Sequence, residues 1–279
     1  MPIPNEIERR LGLLADDQRE AAFEHLRALI RARSAELPPL QVEAIDLARR
    51  AGLSPDPWQE RFLSSAHPRI LLNCTRQAGK STMAAALAVH RACFEPESLV
   101  LLLSPSQRQS QELFKKAAAI YRAAGSPSPA KTESALRLEL ENGSRIVSLP
   151  GKEETVRGFS GVDLLVVDEA ARVGQDLYLS VRPMLAVSGG RLLALSTPYG
   201  TRGWWYEAWH SDETWERYEI PAIQCPRISA DFLAEERRVM GEWWFAQEYE
   251  CRFLDGENQP FRREDIDRTF EEQVESWKL

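Results

Sequence analysis

Arg69-Ile70-Leu71-Leu72-Asn73-Cys74-Thr75-Arg76-Gln77-Ala78-Gly79-Lys80-Ser81-Thr82 has the pattern of a strand, a tight loop and a helix in immediate succession. An apolar run of strand length ends in a short polar loop, and an alanine-rich segment of helical character starts directly after it. The loop follows the phosphate-binding pattern G-x-x-x-x-G-K-[ST] at Gly79, Lys80 and Ser81, with Cys74 in place of the first glycine. Backbone N–H groups from Arg76, Gln77 and Ala78 through the first helical turn at Thr82 are expected to converge on phosphate oxygens at the positive end of the helix dipole. Gly79 allows close approach, Lys80 brings a point charge to the terminal phosphates, and the Ser81 hydroxyl suits a magnesium ion. The competing reading is a Gly-Lys-Ser turn at an ordinary helix start.

A second stretch raises the weight of the first. Asp163-Leu164-Leu165-Val166-Val167-Asp168-Glu169-Ala170-Ala171 is an apolar run ending in two adjacent carboxylates, the pattern of a fully buried parallel strand whose tip faces a ligand crevice. Asp168 is the expected magnesium ligand, directly or through water, and Glu169 the group that orients and deprotonates an attacking water. Taken alone the pair could simply cap a helix. Two independent motifs in the right chain order make coincidence the poorer account.

Composition sets limits. The chain has 279 residues, 43% of them hydrophobic and 28% charged, which suits a soluble globular protein with one large α/β core or one core and a small appendage. No apolar stretch reaches the roughly 18 residues of a membrane span, and the N-terminus shows no secretory signal. Cys74, Cys93, Cys225 and Cys251 have no C-x-x-C spacing, which argues against zinc and fits a reduced cytosolic compartment. A formal charge of -7 excludes a uniformly basic surface, so any DNA contact needs a local patch or a ring of subunits.

The order of elements follows from periodicity. Residues from about 6 to 52 read as a helical arm interrupted at Pro38-Pro39, and Ser54-Pro55-Asp56-Pro57 breaks the chain before Trp58. After the phosphate loop come a strand over 99–103 and a helix over 107–124. Next are a hairpin of 135–140 and 145–149 turned at Asn142-Gly143, then the acidic strand, a helix over 175–187, and a strand over 191–195 ending in Ser196-Thr197-Pro198. Parallel strands joined by helical crossovers give a doubly wound sheet with its ligand at the carboxyl edge. Trp204-Trp205-Tyr206, Trp209 and Trp243-Trp244-Phe245 read as packing of a small helical lid rather than as base-stacking platforms.

These pieces together resemble the ATPase domain of the terminase large subunit, the DNA-packaging motor of tailed bacteriophages, over about Asp56 to Phe261. The resemblance implies an α/β P-loop NTPase of the ASCE type with a mainly parallel, doubly wound sheet. It divides the chain into an N-terminal helical arm (1–55), an ATPase core (56–212), a lid subdomain (213–262) and a tail (263–279). Pro57-Trp58-Gln59 is similar to the family's adenine-recognition motif, Thr75-Arg76-Gln77-Ala78-Gly79-Lys80-Ser81 to its form of the phosphate loop, and Leu195-Ser196-Thr197-Pro198 to its coupling motif. Arg157 lies in the Arg-Gly segment that supplies the family's trans-acting arginine finger, with Arg76 as a competing candidate in cis. Arg108, Lys115, Lys116, Arg145 and Lys152 are the weaker candidates for DNA contact.

What the resemblance implies in function is hydrolysis of ATP with Mg2+, coupled to movement of double-stranded DNA into a procapsid. The implied partners are the DNA, the portal protein, the small terminase subunit and further copies of the chain in a ring, in the host cytoplasm and with no membrane. Two alternatives stand beside it: another nucleic-acid-stimulated P-loop ATPase, and a non-catalytic prophage remnant acting as an assembly module. Large terminases usually continue into a nuclease domain, for which the roughly eighteen residues after Phe261 are too few. Nuclease activity is therefore not expected, whether the chain is an excised motor domain or a naturally short protein.

Overall fold

The computed structural model describes residue 18, residues 42–151, residue 156 and residues 158–255. Residues 43–279 form a compact unit separate from residues 1–42. Its centre is four apolar strands, β1 (Arg69–Cys74), β2 (Leu99–Ser104), β6 (Leu164–Asp168) and β7 (Arg191–Ser196). Nearly every residue in them is buried, as strands covered by helices on both faces must be.

Four more strands complete an eight-stranded sheet: β3 (Ala130–Glu133), β4 (Arg137–Leu140), β5 (Arg145–Pro150) and β8 (Glu216–Ile220), in the order β3-β4-β5-β2-β6-β7-β1-β8. From β5 to β8 every neighbouring pair is parallel, while β3 and β4 extend the sheet antiparallel. The expected mainly parallel, doubly wound α/β architecture is the one found. Register aligns the strand tips, with Asn73 beside Ser196, Asp168 beside Leu195 and Leu103 beside Val167. Because β7 lies between β1 and β6, the phosphate loop and the acidic pair flank the tip of β7.

Side chains alternate between two cores, as the two-residue period of a strand requires. Ile70, Leu72, Val100 and Leu102 pack with α1 (Ala44–Arg50), α2 (Pro57–Ser64), α3 (Lys80–Phe94) and α4 (Gln107–Ala123). Leu71, Leu101, Leu103, Leu165 and Leu192 pack on the other face with α5 (Gln175–Val181) and α6 (Trp204–His210). A third, smaller cluster joins Ala222 to Phe245 and Tyr249 of α7 (Ala230–Tyr249), which breaks at Gly241.

Several expectations need adjustment. The helix expected over 175–187 stops at Val181 and passes into a 3-10 turn, Arg182–Leu185, since Pro183 has no N–H to continue the ladder. The first arm of the hairpin is shorter than expected, but its turn is at Asn142-Gly143, with Gly143 at φ +85°. Of the expected helix over 6–52, α1 is described, with Ala44, Leu47 and Ala48 buried; Leu26, Leu29, Ile30 and Pro38-Pro39 lie outside the described residues. Trp204 and Trp205 belong to the second core, with Tyr178 stacked on Trp204 at 4.0 Å, whereas Trp244 is 45% exposed. No helix among the described residues is long and apolar enough to cross a membrane.

Candidate functional site

The missing first glycine has a backbone explanation. Cys74 ends β1 with ordinary extended geometry and a fully buried side chain, so nothing there requires glycine. The left-handed conformations fall instead on Gln77 (φ 62°) and Gly79 (φ 86°). Gly79 is also a close approach, because a Cβ there would stand 2.9 Å from Gln59 Nε2. From this corner α3 starts at Lys80, and Thr82 N and Met83 N donate to Gly79 O.

The acidic pair sits opposite. Ser81 Oγ donates to Asp168 Oδ2 at 3.0 Å, joining the loop to the tip of β6. Asp168 is buried; burial raises its pKa, the neighbouring Glu169 charge adds to the rise, and Lys80 and the Ser81 hydroxyl oppose it. Glu169 adopts a left-handed backbone (φ 52°, ψ 43°), a conformation that costs a non-glycine residue about 1 kcal/mol, and this turns its side chain out of the strand towards the crevice. Ser196 Oγ accepts from Ala171 N at 3.2 Å, so the tip of β7 is bonded to the turn that follows the acidic pair. Thr197 is buried and does not line the crevice.

A layer behind the loop fixes its shape. Asp56 and Gln59 form a capping box on α2, with Asp56 N donating to Gln59 Oε1 at 2.9 Å. Gln59 Nε2 donates to Ala78 O at 2.9 Å, and Arg227 joins it there at 3.2 Å while forking onto Asp56 at 2.7 and 2.8 Å. Thr75 Oγ1 donates to Glu248 O, Asn73 Nδ2 to Cys251 O, and Arg76 pairs with the Glu248 carboxylate at 2.5 Å. The end of α7 is thereby fastened beneath the loop. Burial pushes the thiols of Cys74 and Cys251 upward, so both stay protonated near neutral pH.

A polar cavity of about 590 Å³ opens over these groups, lined among others by Arg76, Gly79, Lys80, Ser81 and Glu169. Gln77 and Thr82 line it as well, and Ala78 is buried behind it. Trp58 and Gln59 are each 3% exposed and do not line it; both ends of the Gln59 amide already have partners within the protein. Arg157 and Lys152 lie outside the described residues. Of the DNA-contact candidates, Lys116 turns into the cavity, Lys115 pairs with Glu112, and Arg145 starts β5 at the opposite edge of the sheet. Gln109 and Arg172 also line the cavity without having been singled out from sequence.

Among the described residues no group of three or more His, Cys, Asp or Glu could hold a metal. Ser81 Oγ and Asp168 Oδ2 are hard oxygen donors side by side. A cation there would complete its shell with water and ligand oxygens, which suits magnesium better than zinc or calcium.

The sequence profile "Terminase large subunit, T4likevirus-type, N-terminal" matches residues 71–268. The match begins inside β1, after Trp58 and Gln59. The large terminase subunit of Escherichia phage T5 is 26% identical over 209 residues, 71% of this chain and 47% of the relative, so the chain spans about half the length of that curated relative. The large terminase ATPase domain of Thermus phage P74-26 superposes with a TM-score of 0.66 at 21% identity, over 78% of this chain and all of that one. The large terminase of the thermophilic bacteriophage D6E, solved in complex with ADP, gives 0.61 at 13% identity over 72% of this chain and 54% of its own. At these identities the two superpositions speak for the fold, and with the profile spanning most of the chain, this protein belongs to the terminase large subunit family, T4likevirus type, in the N-terminal domain of that subunit.

Proposed function

We propose that the chain is an ATP-hydrolysing motor domain that couples turnover of Mg-ATP to movement of double-stranded DNA into a procapsid. The observation that carries this reading is the contact of Ser81 with Asp168 at the edge of a cavity that also holds Lys80 and Glu169. Loop N–H groups and Lys80 would bind and orient the β- and γ-phosphates, and Ser81 with Asp168 would hold the metal. A magnesium ion held there would neutralise part of the phosphate charge. Glu169 accepts a proton from water as the water oxygen attacks the γ-phosphorus. The bond from that phosphorus to the bridging oxygen breaks, leaving ADP and inorganic phosphate.

Arg157 is the proposed trans-acting cation, supplied by the neighbouring copy in a ring. Arg76 is the poorer candidate, since its guanidinium is paired with Glu248. Ser196 and Thr197 would report loss of the terminal phosphate through β7, consistent with the bond from Ala171 N to Ser196. Portal protein, small terminase subunit and DNA are the proposed partners, in the host cytoplasm. At a net charge of -7, the DNA contact would be a local patch or a ring lining.

The test is phosphate release by the full chain with portal and DNA added singly and together. Stimulation by both is expected, and mixing Arg157→Ala with Glu169→Ala should recover part of the lost rate. Turnover indifferent to both partners would remove the packaging role and leave an ATPase; no recovery in the mixture would remove Arg157 as a trans residue.

A further inference from the structure

We propose that Arg172 is a further nucleotide-contacting residue, acting in its own chain: its guanidinium engages the terminal phosphate of bound ATP and rests on Tyr199 when that phosphate is absent. The inference rests on the ATP reading of the cavity. Arg172 ends the 3-10 turn Ala170–Arg172 that follows Glu169, and its N–H donates to Glu169 O at 2.9 Å. It lines the cavity together with Glu169, Lys80 and Ser81. Its guanidinium carbon stands 4.3 Å from the centroid of the Tyr199 ring, which is itself half exposed.

Two features separate Arg172 from the other arginine of the cavity. Arg76 has a carboxylate partner in Glu248, while Arg172 has none among the described residues and is held by a ring face alone. An exposed cation–π contact is weaker than a charge-assisted fork onto phosphate oxygens, so a triphosphate in the cavity outcompetes Tyr199 for the guanidinium. A planar fork also suits a phosphate better than it suits a ring.

The position of Tyr199 gives the exchange a consequence. It follows Ser196-Thr197-Pro198 at the end of β7, so the turn 170–172 touches this segment twice, through Ala171 N to Ser196 Oγ and through Arg172 to Tyr199. Release of Tyr199 when ATP binds and its recapture after phosphate leaves would bias that segment between two arrangements. The bias is limited by the difference in affinity of Arg172 for the two partners.

The experiment measures Kd for ATPγS and for ADP, both with magnesium, on the full chain and on Arg172→Ala, Tyr199→Leu and Tyr199→Phe. Both positions are solvent-accessible, and thermal unfolding checks that each variant folds. Arg172→Ala should weaken ATPγS at least about tenfold and change ADP by less than about twofold. Tyr199→Leu should tighten ATPγS, because the competing resting place is gone, whereas Tyr199→Phe should behave like the wild type. An unchanged ATPγS-to-ADP ratio in Arg172→Ala, or weaker ATPγS binding in Tyr199→Leu, overturns the assignment while leaving the ATP reading intact. A wild-type chain that binds neither nucleotide removes both.

Discussion

At Gly79 two constraints coincide: a φ of +86° and a neighbour, Gln59 Nε2, lying 2.9 Å from where a Cβ would be. Gly79→Ala should lower stability by about 1–2 kcal/mol and weaken nucleotide binding, read by thermal unfolding and by titration with ATPγS. Gln59 offers a sharper contrast. Its resemblance to an adenine reader implies loss of ATP but not GTP binding on substitution, whereas its bonds to Asp56 N and Ala78 O imply support of the loop. Gln59→Ala is expected to weaken ATP and GTP alike. Selective loss of ATP would return the residue to base recognition. Lys80, Ser81, Asp168 and Glu169 were legible in the sequence because each occupies a fixed place in a local pattern. Arg172, Gln109 and Arg227 were not, because only tertiary packing brings them to the cavity or to the back of the loop.

At the scale of elements, the strands that were easy to read are those buried on both faces. β1, β2, β6 and β7 show as continuous apolar runs. β3, Ala-Lys-Thr-Glu, is exposed throughout and sits at the edge of the sheet, so no apolar pattern marks it. β8, Glu-Arg-Tyr-Glu-Ile, buries only Tyr218 and Ile220 and carries charge between them. The break of α7 at Gly241 lies within a helical pattern and was likewise hidden. Gly190, just before β7, approaches the segment leading into β6 so closely that a Cβ would stand 1.9 Å from Val162 O. Gly190→Ala must shift backbone, and a loss of at least about 2 kcal/mol in urea unfolding is expected. Wild-type stability in that variant would mean that β6 and β7 pair with more freedom than their register indicates.

Over the whole molecule, four buried cysteines make stability depend on alkaline pH. Burial pushes Cys93 from 9 to about 11 and Cys251 to about 12. Each thiol stays protonated in the folded chain after its unfolded counterpart has ionised. Their contribution is therefore complete below pH 9 and is lost as pH rises through the folded values. At pH 10.5 Cys93 alone accounts for about 2 kcal/mol of that loss, and Cys93→Ala should reduce the fall between pH 8 and pH 10.5 by that amount in urea titrations.

The proposed motor depends on hydrolysis of ATP through Glu169 in the crevice at the carboxyl edge of the sheet. The most direct measurement compares phosphate release by the full wild-type chain with that by Glu169→Gln, with ATPγS binding followed in parallel. Magnesium-dependent release by the wild type is expected. The variant should release phosphate about 10²–10⁴-fold more slowly at nearly unchanged ATPγS affinity, as removal of a general base requires. Equal rates in the two proteins would rule out Glu169 as the general base.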